Sequence, residues 1–285
     1  MQFGFVVPFA SERDFVDLAR LGEQSGWDAV LSWEGVWRQD AWVQLAAAAM
    51  VTSTVRLGTV ITPVARYKPW DLASLVGSVD RLSGGRVTMG VGLGAPNSNW
   101  LAFEPDEGRK VRAARVDEGL ELFAKLCGGE PFRHDGEHFT IDITAGIEPD
   151  GPPPTAQRPH PPVWCVGAYV PERTMQPSLA RAARWQGCFP TVADGKGGFG
   201  LTQERLREIV EQLRQLRAAD GASMEGYDVV VEGDSYGEFD AAKGAPSQWA
   251  EAGATWWIES WWDVPPGPEG VAEITRRVAA GPPRN

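Results

Sequence analysis

The stretch 56–94, RLGTVITPVARYKPWDLASLVGSVDRLSGGRVTMGVGLG, decides the fold of this chain. Residues 55–61 are rich in β-branched side chains and predict a strand. A helix is predicted to start after Pro69, because proline suits a first helical turn, and to stop at 83–85, SGG. Residues 86–91 predict a second strand. Two strands joined through a packed helix run parallel, so this stretch indicates a barrel or a doubly wound sheet.

The same alternation of strand and helix can be counted eight times along the chain. Strands are predicted at 2–7, 29–32, 55–61, 86–91, 163–167, 187–191, 227–232 and 255–260. Helices are predicted at 12–24, 41–51, 69–83, 109–126, 177–184, 202–219 and 268–280, and a hairpin at 132–143. Eight units in 285 residues favour an α/β fold of the (βα)8 TIM-barrel type, which needs about 250 residues. We expect one domain over 1–285, with insertions after the fourth and fifth barrel strands.

Composition limits the classes of partner. The net charge of −11 argues against nucleic acid or an anionic membrane as a partner. No apolar stretch approaches the ~18 residues of a membrane span, and the first residues lack the basic and apolar regions of a signal peptide. The three cysteines have no metal-ligand spacing. We therefore expect no metal site, and buried free thiols in a cytoplasmic protein.

The glycines at 90–95, GVGLGA, fit a loose dinucleotide-binding pattern. That motif needs a helix directly after the glycines and an acidic residue about 20 positions further on. Pro96 follows instead, and the acidic residue is missing. The glycines are better explained as a close approach of backbone to a flat ring.

Several motifs together resemble the bacterial luciferase-like monooxygenase family, whose members are flavin- or deazaflavin-dependent oxidoreductases on a TIM barrel. The resemblance rests on RLGT…TP…R.KPW and LSGGR…GVGLG at 56–94, RPHPPVW at 158–164, AGATWW at 252–257 and GPPR at 281–284. It covers nearly the whole chain. It implies FMN or coenzyme F420 as the cofactor, without deciding between them, and a homodimer.

The resemblance places the shelf behind the cofactor ring at a bulge after the third strand, at Thr59, Val60 and Ile61, often with a non-proline cis peptide. Thr62-Pro63 is a second candidate for a cis bond. Trp33 and Glu34 stand where relatives carry Trp-Asp-His, so Trp33 is a candidate cofactor contact and Glu34 the candidate catalytic residue. The alternatives are an ordinary strand end with Val60 in the core, and Glu34 as a solvated carboxylate.

A second group of residues would hold the cofactor's polar parts. The resemblance assigns the phosphate to backbone donors at Gly167 and Ala168. Thr191 and Lys196, the latter in a glycine-rich loop, are further candidates, and Arg173 is a weaker one. Asn97 and Ser98 are neutral donors in the loop after the fourth strand. Turn chemistry and a solvated loop are the alternatives here.

The substrate is expected to be small and apolar or aromatic. The chain has 13 tryptophans, and Trp37, Trp70 and Trp100 are predicted, with Trp33, to line the substrate pocket. Glu259, at the end of the eighth strand, is predicted to be a buried polar anchor in that pocket. A structural ion pair is the alternative for Glu259.

The leading hypothesis is a flavin-type oxidoreductase. Reduced FMN and oxygen would give monooxygenation, with a flavin reductase as a candidate partner that supplies the reduced cofactor, and F420 would give hydride transfer. Gly35 and Ala95 replace a histidine and a glutamate that some deazaflavin dehydrogenases use for proton transfer. These departures motivate an alternative, a catalytically inactive flavin-binding relative with a carrier or regulatory role. A metal-dependent hydrolase has no support, because histidine and aspartate do not cluster at strand ends.

Overall fold

The computed structural model describes residues 1–94, 99–145, 152–193, 200–235 and 244–283. The strands are β1 (Gln2–Val6), β2 (Ala29–Ser32), β3 (Arg56–Pro63), β4 (Val87–Gly92), β5 (Arg133–Asp135), β6 (Thr140–Asp142), β7 (Val163–Tyr169), β8 (Gly187–Val192), β9 (Asp228–Gly233) and β10 (Trp256–Ser260). The helices are α1 (Glu12–Gln24), α2 (Ala41–Ala49), α3 (Pro69–Ser83), α4 (Arg109–Gly128), α5 (Pro177–Ala183), α6 (Gln203–Ala219), α7 (Pro246–Glu251) and α8 (Pro268–Ala279).

Eight of these strands form a closed parallel barrel in the order β1-β10-β9-β8-β7-β4-β3-β2. The first and last strands complete the ring, with Gln2 beside Trp256 and Val6 beside Ser260. Helices follow the strands around the outside, so the predicted TIM barrel is confirmed. All eight strands therefore present their carboxyl ends at one rim, where the sites of such barrels lie.

Strand alternation separates the core into two layers. The inward positions of the strands fill the barrel interior with Val6, Ala29, Leu31, Val60, Trp164, Phe189, Val230, Trp256 and Ile258. The outward positions pack against the helices in a larger layer that includes Phe5, Leu57 and Trp257. The interior is thus a packed core, and a ligand site is expected toward the rim.

Local signals explain where the helices begin and end. Ser11 accepts a hydrogen bond from the Asp14 backbone N–H, while the Asp14 side chain accepts from the Ser11 backbone, which forms a capping box for α1. Pro69 occupies the first turn of α3, and Gly84 ends that helix with a φ of 68°. The predicted helix boundaries agree with the structure to within two residues. The short helix α7 was not predicted.

The connections between barrel strands differ in length. Between β4 and β7 the chain adds the antiparallel hairpin β5–β6, which lies outside the barrel sheet. After β7 only residues 170–176 precede α5, so the predicted second insertion is a short loop. Within the described ranges, no helix is long and apolar enough to cross a membrane.

Candidate active site

The third strand carries an irregularity at the active rim of the barrel. The pairing of β3 with β4 shifts register between Thr59 and Thr62, and the Val60–Ile61 peptide bond is cis. The predicted bulge is therefore confirmed. The Thr62–Pro63 bond is trans, so the prediction of a second cis bond there is wrong; the described cis proline bond is at Arg158-Pro159.

Close packing of backbone fixes this bulge against β4. A Cβ atom added to Gly90 would lie 2.1 Å from the carbonyl oxygen of Thr59, so only glycine fits. The Thr59 hydroxyl donates to the Gly90 carbonyl at 3.0 Å, and Thr59 is fully buried. Thr59 therefore supports the bulge from behind, and Val60 and Ile61 face the space above the barrel.

A cavity of about 500 Å³ lies on the exposed side of the bulge. It is lined by Phe9, Trp33, Glu34, Val36, Val60, Ile61, Pro63, Arg66, Gly94, Trp100 and Trp262. We call it the ring cavity. Its walls are mostly aromatic and aliphatic, with one carboxyl group and one guanidinium group, which is the usual character of a small-molecule site.

Glu34 is held in place by three donors. The indole N–H of Trp42 donates to its Oε1 at 2.8 Å, the Thr62 hydroxyl to Oε1 at 2.6 Å, and the Tyr67 hydroxyl to Oε2 at 2.7 Å. Burial raises the pKa of the Glu34 carboxyl, while these hydrogen bonds and the charge of Arg66 oppose the rise. The alternative of a solvated carboxylate is wrong, and Glu34 is a preorganised group at the cavity wall.

Aromatic rings form one continuous side of the ring cavity. Phe9 packs edge-on against Trp33, with ring centroids 6.3 Å apart, and Trp33 packs edge-on against Trp262 at 5.6 Å. The indole N–H of Trp262 donates to Oε1 of Glu232 at 2.6 Å. Burial raises the pKa of Glu232, which stands at an inward position of β9.

A second cavity of about 380 Å³ shares Ile61 and Gly94 with the first. We call it the arginine cavity. Its lining includes Gly92, Cys165, Val166, Ala168 and Thr191 from the barrel strands, and Arg109, Arg112, Ser178 and Arg181 from the helices. Arg181 is paired with Asp117 at 2.7 Å and Arg112 with Asp106. Arg109 has no hydrogen bond or ion pair within the described part of the chain, so this cavity is electropositive.

The structure brings seven of the fifteen predicted site residues to these two cavities. Trp33, Glu34, Val60 and Trp100 line the ring cavity, Ala168 and Thr191 line the arginine cavity, and Ile61 lines both. Asn97, Ser98 and Lys196 lie outside the described residues.

Two predicted pocket tryptophans lie elsewhere. Trp37 is 87% exposed and contacts Phe103 on the surface, because its loop turns outward after Val36. Trp70 is half-exposed in the first turn of α3, where it packs against Phe139 of the hairpin loop. Neither lines the ring cavity.

Glu259 is buried but faces away from the ring cavity. Its carboxylate accepts from the indole N–H groups of Trp257 and Trp261, at 2.9 and 3.1 Å, in the layer between strands and helices. It is a polar anchor, as predicted, but outside the pocket. In β10 the inward positions are 256, 258 and 260, so residue 259 must point outward. The acidic side chain at the inner rim is Glu232, which sequence reasoning missed.

The backbone at the predicted phosphate-binding turn, Gly167 and Ala168, is already in contact with other parts of the protein. The Ala168 N–H donates to the Ser178 hydroxyl at 3.0 Å. A Cβ on Gly167 would meet Cys188 and Leu179, so Gly167 faces α5 rather than the cavity. Arg173 does not line the arginine cavity. The arginines that do so were missed, although two of them, Arg109 and Arg112, begin a helix whose start was predicted.

The side chains of Arg38 and Trp33 pack around Gly35. A Cβ on Gly35 would lie 2.6 Å from Cγ of Arg38 and 2.9 Å from the Trp33 ring. These two side chains therefore occupy the position. Within the described residues, no group of three or more histidine, cysteine, aspartate or glutamate side chains is arranged to hold a metal ion.

The sequence profile described as luciferase-like monooxygenase matches residues 1–236. The chain belongs to this family. It is 36% identical over 152 residues to an F420-dependent glucose-6-phosphate dehydrogenase of Beutenbergia cavernae, a match that covers 50% of this chain and 45% of the relative. It is 33% identical over 231 residues to the enzyme of that name from Segniliparus rotundus, covering 77% of this chain and 63% of the relative. The match thus spans less than two thirds of either relative.

The fold of this luciferase-like protein also agrees with that of a solved enzyme. The coenzyme F420-dependent tetrahydromethanopterin reductase of Methanopyrus kandleri superposes with a TM-score of 0.72 over 98% of both chains, at 16% identity. At this identity the agreement establishes the barrel fold.

Proposed function

We propose that this chain is an oxidoreductase that uses reduced FMN or coenzyme F420 and acts on a small, apolar or aromatic substrate. The observation that carries the proposal is the β3 bulge at Val60 and Ile61, which borders a mostly apolar cavity and an electropositive one at once. Family membership and the F420-dependent activity in the names of two relatives support it.

The residues present fit such a cofactor. Gly92, which lines the arginine cavity beside Ile61, carries no side chain, so backbone is available there for the close approach of a flat ring. Arg109 and Thr191 offer donors to a phosphate in the arginine cavity. By resemblance, Asn97, Ser98 and Lys196 remain proposed ligands.

A bound deazaflavin would supply hydride transfer, and a bound reduced flavin would supply oxygen activation. The protein itself would orient the substrate, exclude water with the Phe9–Trp33–Trp262 wall, and move one proton at the carboxyl group of Glu34. The three donors fix that carboxyl in one orientation, which suits general acid–base catalysis. In this proposal Trp100 lines the substrate side of the site.

Titration with the two cofactors tests the proposal. The purified protein is titrated with FMN and with F420, and quenching of cofactor fluorescence is followed. A variant with Arg109→Gln should bind the cofactor several-fold more weakly, because it loses a charge that faces the phosphate, while Lys125→Gln, at the far end of the same helix, should bind as the wild type does. Binding of neither cofactor at tens of micromolar would contradict the proposal.

The replacement at Gly35 favours a second candidate function, cofactor binding without turnover, in a carrier or regulatory role. No side chain can act as a base at that position, since Arg38 and Trp33 fill it. Tight cofactor binding with no turnover of any donor or acceptor would favour this candidate.

We further propose a cytoplasmic homodimer, with a flavin reductase as partner if FMN is the cofactor. Val43, Met50 and Leu82 are exposed apolar side chains on the neighbouring helices α2 and α3 and at the end of α2, and a second copy could cover them. The three free cysteines support a reducing compartment.

A further inference from the structure

The aromatic wall of the ring cavity offers carbon surface and almost no polar atoms. The indole N–H of Trp33 donates to the Pro8 carbonyl at 2.5 Å, that of Trp100 to Glu104 at 2.7 Å, and that of Trp262 to Glu232 at 2.6 Å. Each donor is already used. A molecule in this cavity therefore meets ring faces and edges, which favours a flat, apolar body.

Among the residues that the structure describes, two charged side chains line the cavity, Glu34 and Arg66, and their situations differ. The carboxyl group of Glu34 already accepts three hydrogen bonds. Arg66 is half-buried and has no hydrogen bond or ion pair in the part of the chain that the structure describes. Its guanidinium group lies 6.0 Å from the centroid of the Trp100 ring. Arg66 is thus a fixed cation with donors to spare.

The second arginine beside the Trp100 ring differs from Arg66 because it already has an ion-pair partner. Arg112 also lies against the Trp100 ring, 5.7 Å from its centroid, but is paired with Asp106. Arg112 is neutralised by Asp106, whereas Arg66 only acts through space on the carboxyl group of Glu34. No carboxylate among the described residues is hydrogen-bonded to Arg66, and an anionic substrate group would fill that place better than a cation or a neutral amide.

We propose that Arg66 binds the carboxylate of an aromatic carboxylic acid, and that aromatic acids are the substrate class of this site. This inference rests on the proposed function, because it takes the ring cavity as the substrate site. A guanidinium group binds a carboxylate through two parallel N–H···O bonds, and the aromatic body would lie against Trp100, Trp33 and Trp262. Arg66 then determines specificity and takes no part in bond breaking.

The test compares a charged probe with its neutral counterpart. Binding of 2-naphthoate and of 2-naphthamide is measured by titration calorimetry, with and without the cofactor, for the wild type, Arg66→Gln and Arg66→Lys. Lys68→Gln is the matched control, because Lys68 is an exposed cation two residues away that does not line the cavity. Circular dichroism and the melting temperature establish that each variant is folded.

The wild type should bind naphthoate at least tenfold more tightly than naphthamide. Arg66→Gln should abolish this preference by weakening naphthoate alone, Arg66→Lys should keep part of it, and Lys68→Gln should leave it unchanged. Equal binding of the two probes to the wild type, absence of binding by either, or an equal loss of both in Arg66→Gln would overturn the inference.

Parallel cofactor titrations separate this inference from the proposed function. If neither FMN nor F420 binds but the naphthoate preference depends on Arg66, the proposed function fails and the acid site stands. If the cofactor binds but naphthoate and naphthamide bind equally well, only the inference about aromatic acids is contradicted. Loss of cofactor binding in Arg66→Gln would show that Arg66 serves the cofactor and would also overturn the inference.

Discussion

The hydrogen-bonded pair of Glu34 and Tyr67 allows the proposed proton transfer to be tested at single residues. Glutamine is nearly isosteric with Glu34, and its oxygen can still accept from Trp42 and Thr62, while the Tyr67 hydroxyl can rotate to accept from the new amide. Glu34→Gln should therefore remove a titrating proton without removing the packing. If Glu34 moves a proton, kcat should fall by about 10²–10⁴-fold, and the limb that it causes should vanish from the pH profile of kcat/KM.

Tyr67→Phe tests the same carboxyl group through its pKa. The Tyr67 hydroxyl donates to Oε2 of Glu34 and so stabilises the ionised form, which lowers the pKa against the effect of burial. Loss of that donor should raise the pKa of Glu34 further. The limb due to Glu34 should then move to higher pH, whether the active form is ionised or protonated. A profile that stays in place would remove Glu34 from the chemistry.

The position of acidic side chains also shows how far sequence can locate a site at the residue scale. The end of the eighth strand was predicted, yet Glu259 was assigned to the pocket although its neighbours Ile258 and Ser260 occupy the inward positions. The two-residue alternation of a strand decides the face, because an inward Ile258 places Glu259 on the outward side. Arg66, by contrast, ends a three-residue 3-10 helix and Trp262 lies in a loop, and such short segments have no periodicity to tell which side chain turns toward the cavity.

At the scale of elements, the contact between β3 and β4 depends on glycine. Gly90→Ala would place a methyl group 2.1 Å from the Thr59 carbonyl oxygen, which is backbone and cannot turn away. The strands must separate, so the free energy of unfolding should fall by about 1–3 kcal/mol. Because the bulge moves with β3, cofactor fluorescence quenching should weaken as well.

Gly128→Ala is the control for that change. Gly128 ends α4, and an added Cβ would meet no atom within 4 Å. Alanine should leave stability equal or raise it by about 0.5–1 kcal/mol, because it favours the helix. Equal unfolding free energies for the two variants, measured by urea denaturation, would contradict the close approach at Gly90.

Elements were more predictable than their ends and loops. The barrel strands and long helices follow from their apolar periodicity, because each element buries one face in the closed barrel. Stop signals such as Gly84 mark where helices end. The helix α7 was missed because its six residues are too few for a helical period. The bulge was located by resemblance to a family, since a local register shift leaves no mark on periodicity.

At the scale of the whole molecule, the exposed apolar side chains of α2 bear on the oligomeric state. Val43 and Met50 are seven positions apart, so they lie on one side of α2 and its end, and they are 56% and 68% exposed. Leu82 on the neighbouring helix α3 is also exposed, and several exposed apolar side chains on two adjoining helices favour an interface over scattered surface residues.

The double variant Val43→Asp, Met50→Asp should therefore be a monomer when the wild type is a dimer. Burying two carboxylates without partners in an apolar interface costs several kcal/mol, which corresponds to at least a hundredfold increase in the dimer Kd. Sedimentation velocity at several protein concentrations measures it. Met175→Asp is the control, because Met175 is 77% exposed in the loop before α5 and far in sequence from α2. A wild type that sediments as a monomer at all concentrations, or a control that dissociates equally, would contradict a dimer through α2. If the cofactor still binds to the monomeric variant, each barrel carries a complete site of its own.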